Sequence, residues 1–387
     1  MANSNHKTKK LHILPESIWL VILMVAVLLS EIVFILFLAV VDMLPMKYII
    51  AVLALIVALD IAGFLLMSSR ADSNIRRNIG SIICVLTLIV MAGGSYYLGS
   101  TYDTLAKITN QYTGEQTRVT SEPFNVLVSG IDSRDDISDD YARSDVNMII
   151  TVNPQTYTIL LTSMPRDSYV PLHMNGEMDK LTHTGVYGIE ETIGTIEDWL
   201  DVDIDYYVRV DFHMLVNLVN AVHGITVNNN IDFYSSVKGW HYKKGEISLT
   251  GKQALWFVRE RKAFEDEDEQ RIRNQQKVMK ALITKMTSKK TLLLNYTNIL
   301  NAVEDNMQTD MSRREMSSLV KLQLQLMPEW KIKRQWVDGD DDYRGTWSMG
   351  PGRELFVSIP KEESVEQVKQ GIQQVLSGET EETEKKQ

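Results

Sequence analysis

Three long apolar stretches near the start of the sequence constrain the fold of this chain more than any other feature. They cover Ser17–Val41, Tyr48–Met67 and Ile79–Leu98. Each is close to the ~20 residues that an α-helix needs to cross a hydrocarbon core of about 30 Å. Three such stretches in quick succession argue against buried core helices, and the length of the first argues against a cleaved signal peptide. We predict a transmembrane anchor over residues 17–98, after a cytoplasmic tail over residues 1–16.

Basic residues beside these stretches predict the orientation of the anchor. Because basic loops stay on the cytoplasmic side, the N-terminus is expected inside the cell and everything after Leu98 outside. We therefore predict a multi-pass cell-membrane protein with an extracellular main domain. The residues that carry this inference are Lys7, Lys9, Lys10, Arg70, Arg76 and Arg77.

Two acidic residues, Glu31 and Asp60, lie within the predicted spans, where a carboxylate facing lipid is costly. One interpretation is a conduction or proton path. We prefer the interpretation that they face neighbouring helices or lie near an interface.

The charge balance excludes nucleic acid as a partner. The first hundred residues contain seven Lys/Arg and five Asp/Glu, and the whole chain has a net charge of −10, so the remainder carries −12. Nucleic acid needs a broad basic surface, which such a domain lacks. The only cysteine is Cys84, within an apolar stretch, so the rest of the chain has neither a disulfide framework nor a thiolate metal site.

The remainder of the chain mixes strand and helix patterns without strict alternation. We predict a polar extracellular stalk over residues 99–122, a folded domain over 123–360, and a helix with a charged, disordered tail over 361–387. A hairpin is predicted around Asn153-Pro154-Gln155-Thr156, and a long amphipathic helix over Asp268–Met286. This mixture predicts a three-layer sandwich of the α/β or α+β class.

Carboxylates are concentrated in the loop after the predicted strand Phe124–Ser129. Asp132 closely follows this strand, and Asp145 precedes the next. Two carboxylates brought together by a loop can hold Mg²⁺ (or Mn²⁺), with water and substrate phosphate completing the shell. The alternative is a solvated acidic loop, which is our interpretation of Asp135, Asp136, Asp139 and Asp140.

Arginines follow two apolar segments. Arg166 follows the predicted strand Tyr157–Ser163 and suits bidentate phosphate recognition, although Asp167 beside it also allows a local structural ion pair. Arg259 and Arg261 follow the apolar residues 254–258. If this segment is extended, both guanidinium groups share a face and repel each other unless an anion lies between them. The alternative is a solvated strand end that the acidic run 265–269 neutralises.

The inward-facing side of the predicted long helix begins with a cationic side chain and an amide side chain. Arg271 and Gln275 are one helical turn apart, and the same stripe continues with apolar residues. Polar groups on such a face need partners, and the first turn of a helix favours an anion. The pattern predicts an anion site, with a buried ion pair between Arg271 and Asp268 as the alternative.

Other classes of site lack a sequence pattern. The chain has no glycine-rich phosphate loop, no His/Cys metal spacing and no nucleophile-elbow motif. The histidines after the anchor are scattered and do not define a catalytic set: His183, His213, His223 and His241.

Six segments occur in a specific order over about residues 124–286: FNVLVSGIDSR, RSDVNMIITVNPQT, SMPRDSYV, DIDYYVRVDF, LTGKQALWFVRER and DEQRIRNQQKVMKALI. Together they resemble the LytR–CpsA–Psr family of Gram-positive cell-wall proteins. The three-span anchor and the later segment RGTWSMGPGRELFVSIP are similar to the capsule-associated branch of that family.

This resemblance implies an α/β fold, a three-layer αβα-type sandwich with a mixed central sheet. It implies a phosphotransferase that moves a glycopolymer, capsular or teichoic-acid-like, from a polyprenyl pyrophosphate carrier to peptidoglycan with Mg²⁺ (or Mn²⁺). A pyrophosphatase side activity and capsule assembly partners are further implications.

The resemblance also implies roles for individual residues. It assigns metal binding to Asp132 and Asp145. It assigns pyrophosphate binding to Arg134, Arg166, Lys180, Arg259, Arg261, Arg271 and Gln275. Among these and their neighbours, we predict that Asp145, Arg259 and Asp268 are catalytic, with Asp145 or Asp268 as the base.

Two departures from the family pattern affect these assignments. The usual Lys-Ile-Asn-His is Lys180-Leu181-Thr182-His183 here, and the usual Gly-Asp is Glu267-Asp268. They bear on the roles of Lys180 and Asp268.

Two other functions compete with transfer. One is a non-catalytic receptor or scaffold that binds lipid-linked polymer during capsule assembly. The other is a membrane-bound regulator, which we rank last because residues 1–16 and 68–78 are too short to form a cytoplasmic module.

The orientation is testable in intact cells. We expect a protease added outside to cleave the main domain near Trp240, detected by immunoblotting against a C-terminal tag. Protection of this region until the cells are lysed would contradict the predicted orientation.

Overall fold

The computed structural model describes residues 18–68, 74–108, 119–131, 142–304 and 306–379. The contacts divide the chain into two compact units, Met1–Asp103 and Thr104–Gln387, which we describe separately.

The first unit consists of long apolar helices. These are α1 Ile18–Val41, α2 Met46–Met67 and the larger part of α3 Asn74–Ile108. All three are long and apolar enough to cross a membrane, which confirms the prediction of three long apolar helices. Val27, Met67 and Cys84 form their buried contact cluster. Glu31 is also buried, which favours the interpretation that it faces neighbouring helices.

Helix α3 continues beyond the predicted third span. The apolar stretch ends near Leu98, yet the helix extends to Ile108, into the segment that we assigned to a stalk. Residue Val119 is buried against Phe124 and Met311, so the folded domain begins before residue 123.

The second unit contains fourteen strands among its described residues. The six that form the central sheet are β1 Phe124–Ile131, β2 Ser144–Asn153, β3 Thr158–Met164, β6 Tyr206–Asp211, β11 Met307–Thr309 and β12 Lys331–Trp336. The others form two-stranded pairs: β4 Tyr169–Pro171 with β5 Met178–Lys180, β7 Ile225–Asn229 with β10 Gly245–Leu249, β8 Phe233–Tyr234 with β9 His241–Tyr242, and β13 Gly339–Gly345 with β14 Glu354–Pro360.

Helices surround this sheet. In chain order they are α4 Leu181–Thr184, α5 Ile189–Leu200, α6 Phe212–Ala221, α7 Gly251–Arg259, α8 Glu267–Met286, α9 Lys289–Leu294, α10 Tyr296–Val303, α11 Arg313–Leu326 and α12 Glu362–Ser377. Two short 3₁₀ helices cover Gly185–Tyr187 and Trp347–Met349.

The central sheet is mixed. Its strand order is β11-β6-β1-β2-β3-β12. Strands β1, β2 and β3 are antiparallel neighbours, whereas β6 pairs with β1 and β12 pairs with β3 in parallel. All eight residues of β1 are buried, as expected for a strand that is covered on both faces.

Each face of the sheet packs against helices. Leu127 and Ile149 pack against Ile196 of α5 and Ile372 of α12. On the opposite face, Val128 and its neighbours pack against α8. Because successive side chains of a strand point to opposite faces, Leu127 and Val128 serve different layers. These layers confirm the predicted three-layer α/β fold with a mixed sheet.

The predicted hairpin between β2 and β3 is confirmed and has a local cause. The side-chain Oδ1 of Asn153 accepts hydrogen bonds from the backbone N–H groups of Gln155 (2.9 Å) and Thr156 (3.1 Å). This Asx-type turn reverses the chain within a few residues. The resulting register pairs Asn147 with Met164 and so places the start of β2 beside the end of β3.

Helix α12 belongs to the core of the domain. We separated residues 361–387 from the predicted domain because their pattern is short and leads into a charged tail. In the structure, Val368, Ile372 and Val375 are buried against the sheet. The Asn153 side chain also donates to the carbonyl of Val375 (2.7 Å).

Because α12 packs into the core, shortening one of its buried side chains should lower the stability of the domain considerably. We expect Ile372→Ala to destabilise the domain by about 2–5 kcal/mol because it leaves a cavity in the core. The exposed Gln373→Ala on the same helix is the control and should change stability by less than about 0.5 kcal/mol. Denaturation of the full chain in detergent, followed by tryptophan fluorescence, measures both. Equal effects of the two variants would contradict the packing of α12.

Candidate functional site

The hairpin register joins Asp145 to Arg166 at one edge of the sheet. Arg166 Nη1 lies 2.7 Å from Asp145 Oδ1, and Arg166 Nε lies 3.3 Å from Asp167 Oδ2. Lys180, at the end of β5, lies 2.9 Å from the other oxygen of Asp167. The local ion pair that we considered as an alternative is therefore present, and it is part of a chain of four charged side chains.

These charges stabilise one another. Burial alone would raise the pKa of Asp167, but its hydrogen bond with Lys180 and the charge of Arg166 bring that pKa below the ordinary value. Burial likewise opposes the charge of Arg166, and bonding to Asp145 and the charge of Asp167 raise its pKa overall. Both side chains therefore remain ionised.

Residues 254–258 are helical, so the condition of an extended segment, on which a shared face for Arg259 and Arg261 depended, is not met. Thr250 and Gln253 form a capping box that starts α7, and this helix ends at Arg259. Glu260 then adopts an extended conformation. The Arg259 guanidinium lies over the Phe212 ring at 4.5 Å.

Glu260 lies between the two arginines in sequence but does not neutralise them. Its carboxylate accepts from the backbone N–H (2.8 Å) and the hydroxyl (2.7 Å) of Ser236. Burial would raise the pKa of Glu260, but these hydrogen bonds lower it. The carboxylate therefore stays ionised and bound to Ser236. These two contacts of the Glu260 side chain are with Ser236 and not with the guanidinium groups of Arg259 and Arg261.

The first turns of α8 add a further cation. Asp268 Oδ1 lies 2.8 Å from Arg261 Nε and 3.2 Å from Arg271 Nη2, so the predicted alternative of an Asp268–Arg271 ion pair is present. The Nε of Arg271 is buried and has no hydrogen-bond partner among the residues that the structure describes. Burial lowers the pKa of Arg271, and the nearby charges of Arg166 and Arg261 lower it further, against the opposing effect of Asp268.

These side chains converge on one small cavity of about 150 Å³. It is lined by Asp145, Val146, Arg166, Phe212, Val258, Arg259, Arg261, Arg271 and Gln275. Among the described residues, four arginines and a single carboxylate thus line this space, inside a chain of net charge −10. Bringing like charges together in a partly buried site favours a bound anion. We call this cavity the arginine cavity.

A second, larger cavity of about 620 Å³ adjoins the first. Asp145 and Arg166 line both, so they form a shared wall. The larger cavity is otherwise lined by Ala142, Arg143, Asp167, Lys180, Thr182, His183, Met349, Arg353 and Leu355. Lys180 therefore lies on the far side of the wall from Arg259, Arg261, Arg271 and Gln275.

Two of the predicted site residues, Asp132 and Arg134, lie outside the described residues, as do Asp135, Asp136, Asp139 and Asp140. Asp145 is the described member of the predicted metal pair, and about a quarter of its side chain is exposed. Within the ranges that the structure covers, no group of three or more His, Cys, Asp or Glu could hold a metal ion by itself.

Sequence reasoning missed a cluster around His183. His183 Nδ1 lies 2.6 Å from Asp179 Oδ1 and 2.8 Å from Ser348 Oγ. The i,i+4 spacing of Asp179 and His183 was an available signal. The contact with Ser348 was not predictable because 165 residues separate it from His183.

The chain is similar to known proteins over most of its length. A model described as the LytR_cpsA_psr family matches residues 95–380. The polyisoprenyl-teichoic acid–peptidoglycan teichoic acid transferase TagU of Enterococcus faecalis is 37% identical over 247 residues, which are 62% of this chain and 80% of TagU.

Solved structures show the same fold. The crystal structure of B. subtilis TagV matches with a TM-score of 0.54 and 30% identity, over 66% of this chain and 98% of TagV. A structure of TagT bound to LIIa-WTA matches with a TM-score of 0.54 and 27% identity, over 68% of this chain and 94% of TagT.

The arginine cavity predicts measurable anion binding. We expect Arg271→Met to weaken binding of inorganic pyrophosphate about tenfold or more, because hydrogen bonds to charged groups are worth about 1.5–3 kcal/mol. Calorimetry on the full chain in detergent measures this. Arg273→Met is the matched control, since Arg273 lies over Trp336 and pairs with Glu269 outside the cavity. Equal affinities for both variants would contradict the assignment.

Proposed function

This chain belongs to the LytR–CpsA–Psr family, and we propose that it transfers a glycopolymer from a polyprenyl pyrophosphate carrier to peptidoglycan. The observation that carries the proposal is the arginine cavity, where four guanidinium groups converge although the chain as a whole is acidic. A carrier pyrophosphate supplies the missing negative charge. The names of the relatives TagU and TagT support the same class of reaction.

The cavity residues act first by binding and orienting the pyrophosphate. The planar guanidinium of Arg261 and that of Arg271 can each donate two parallel hydrogen bonds to phosphate oxygens. Asp268 lies against both and fixes their positions. Gln275, one helical turn after Arg271, offers an amide donor to the same space.

During transfer, these donors stabilise the charge that spreads over the phosphoryl oxygens. Phosphoryl transfer depends on positioning and on electrostatic stabilisation more than on covalent chemistry with the protein. Arg259 lies over Phe212 and remains exposed at the cavity, so it can follow the phosphate as the bonds to phosphorus change.

Asp145 fits a divalent cation, and we propose that it holds Mg²⁺ (or Mn²⁺). Its carboxylate is a hard oxygen donor at the wall of the arginine cavity, and Mg²⁺ is usually held by one or two carboxylates together with substrate phosphates. The ion would add positive charge beside the phosphate oxygens. Asp132 is the second carboxylate that the family resemblance assigns to this role.

The finer features of the proposal concern the polymer and the membrane. We propose that the polymer is a capsular polysaccharide or a teichoic-acid-like chain, and that transfer takes place on the outer face of the membrane. The three apolar helices support a membrane location, and the basic residues beside them support this orientation.

The test follows transfer of the polymer directly. The full chain in detergent is incubated with polyprenyl pyrophosphate glycan, Mg²⁺ and peptidoglycan, and labelled polymer on peptidoglycan is quantified. We expect Arg259→Ala combined with Arg271→Ala to lower transfer by about a hundredfold or more, because two transition-state donors are lost.

The matched control replaces Arg314 and Arg334 with Ala. Both are exposed, and neither lines the arginine cavity or the larger cavity beside it. Transfer that survives the loss of Arg259 and Arg271 would contradict the site assignment. Tight binding of the carrier without turnover under any metal would favour the receptor or scaffold instead.

A further inference from the structure

The cavity of about 620 Å³ contains polar groups that pyrophosphate binding does not use. Two of its cations, Arg166 and Lys180, already pair with Asp145 and Asp167. Within the described part of the molecule, this cavity is lined by four cations and two carboxylates, against four cations and one carboxylate in the arginine cavity, so it is less suited to a phosphate. His183 and Thr182 also line it, and Thr182 Oγ1 is buried without a hydrogen-bond partner among the described residues.

A buried carboxylate fixes the ring of His183. Asp179 is fully buried and accepts from His183 Nδ1 (2.6 Å), from the backbone N–H of Ser348 (2.8 Å) and from the backbone N–H of Lys180 (2.7 Å). Burial would raise the pKa of Asp179, but these bonds lower it. A charged carboxylate at this position holds the hydrogen of the neutral imidazole on Nδ1.

The other edge of the ring then faces the cavity. Asp179 and Ser348 occupy the Nδ1 edge, and neither of them lines the cavity, whereas His183 does. The Nε2 edge is therefore the part of the ring that reaches the space. In the tautomer that Asp179 selects, Nε2 carries a lone pair and can accept a proton.

Thr182 provides a second, independent indication of a ligand. It is 5% exposed, and its Oγ1 is buried without a hydrogen-bond partner in the part of the chain that the structure describes. A buried hydroxyl without a partner is costly. Since Thr182 lines the same cavity, a ligand hydroxyl can supply the missing partner.

We propose that this cavity binds the acceptor sugar and that His183 Nε2 is the general base for its hydroxyl. The inference rests on the proposed transfer function and names the acceptor side of that site. Asp145 and Arg166, as the shared wall, place the acceptor directly beside the phosphate in the arginine cavity. Asp179 is the positioning residue for His183, and Met349 and Leu355 offer apolar surface to a sugar ring.

The step balances as follows. The acceptor hydroxyl oxygen forms a bond to the phosphorus that carries the polymer, and its proton moves to His183 Nε2. The bond from that phosphorus to the bridging oxygen of the pyrophosphate breaks. The electron pair leaves with polyprenyl phosphate, and the polymer remains joined to the acceptor through a phosphodiester.

Asp145 and Asp268, which we predicted as candidates for the base, are placed differently. Asp145 contacts Arg166 at 2.7 Å, and Asp268 contacts both Arg261 and Arg271. Oδ1 of each carboxylate is thus engaged by guanidinium groups. Asp268 holds two arginines, Asp145 holds Arg166 and the metal ion of the proposed function, and proton removal falls to His183.

The decisive variant is His183→Asn in the full chain in detergent. The Asn amide can replace Nδ1 as the donor to Asp179 but has no counterpart of Nε2. We expect transfer to peptidoglycan to fall about a hundredfold or more, since general-base catalysis contributes about 10²–10⁴-fold. Binding of the polyprenyl pyrophosphate glycan should stay within about twofold of wild type.

Two further variants separate catalysis from structure. Added imidazole should restore transfer by His183→Ala at least about tenfold, because it can occupy the space of the lost ring. Thr182→Val, which keeps the shape, should weaken binding of a soluble peptidoglycan fragment by about tenfold, as expected for one hydrogen bond. It should leave carrier binding unchanged.

The results of these experiments separate the role of His183, the acceptor site and the proposed function from one another. Transfer by His183→Asn at the wild-type rate, or parallel loss of transfer and carrier binding, would overturn the role of His183. Unchanged binding of the peptidoglycan fragment by Thr182→Val would overturn the acceptor site. If wild-type protein binds the fragment through Thr182 but shows no transfer, the proposed function fails while the acceptor site stands.

Discussion

The contact between Asp145 and Arg166 is the interaction on which the rest of the site depends. It forms because the turn at Asn153 sets the register of β2 and β3, which places the start of one strand beside the end of the other. The two side chains line both the arginine cavity and the larger cavity next to it. In the reaction that we propose, a donor phosphate and an acceptor hydroxyl therefore meet across two side chains that a backbone turn has already fixed.

The surrounding carboxylates hold cationic side chains in position without neutralising all of their positive charge. Asp268 holds Arg261 and Arg271, Asp167 holds Lys180, and Glu260 is directed to Ser236. In the described part of the chain, four arginines nevertheless line the arginine cavity together with one carboxylate. This local excess would let an acidic protein bind the pyrophosphate that we propose as its ligand without a broad basic surface, which would also attract other polyanions.

Much of this arrangement was predictable from the sequence, and the exceptions have physical causes. Hydropathy identified three long helices, and the spacing of Arg271 and Gln275 identified a polar start to α8. The helical conformation of residues 254–258 was not predicted, because a short apolar run fits either a strand or a buried helix. The capping pair Thr250 and Gln253 was the signal for the helix. The cluster of Asp179, His183 and Ser348 depends on a tertiary contact that no local pattern contains.

Helix α12 has a consequence for how the domain forms. It covers one face of the sheet, yet it follows every strand of that sheet in the chain. During synthesis, the apolar residues beneath it, such as Ile149 and Leu160, are made long before the helix that buries them. Contacts between residues so distant in sequence form slowly. The sheet, and with it the register that joins Asp145 to Arg166, gains its full stability only after nearly the whole domain has been synthesised.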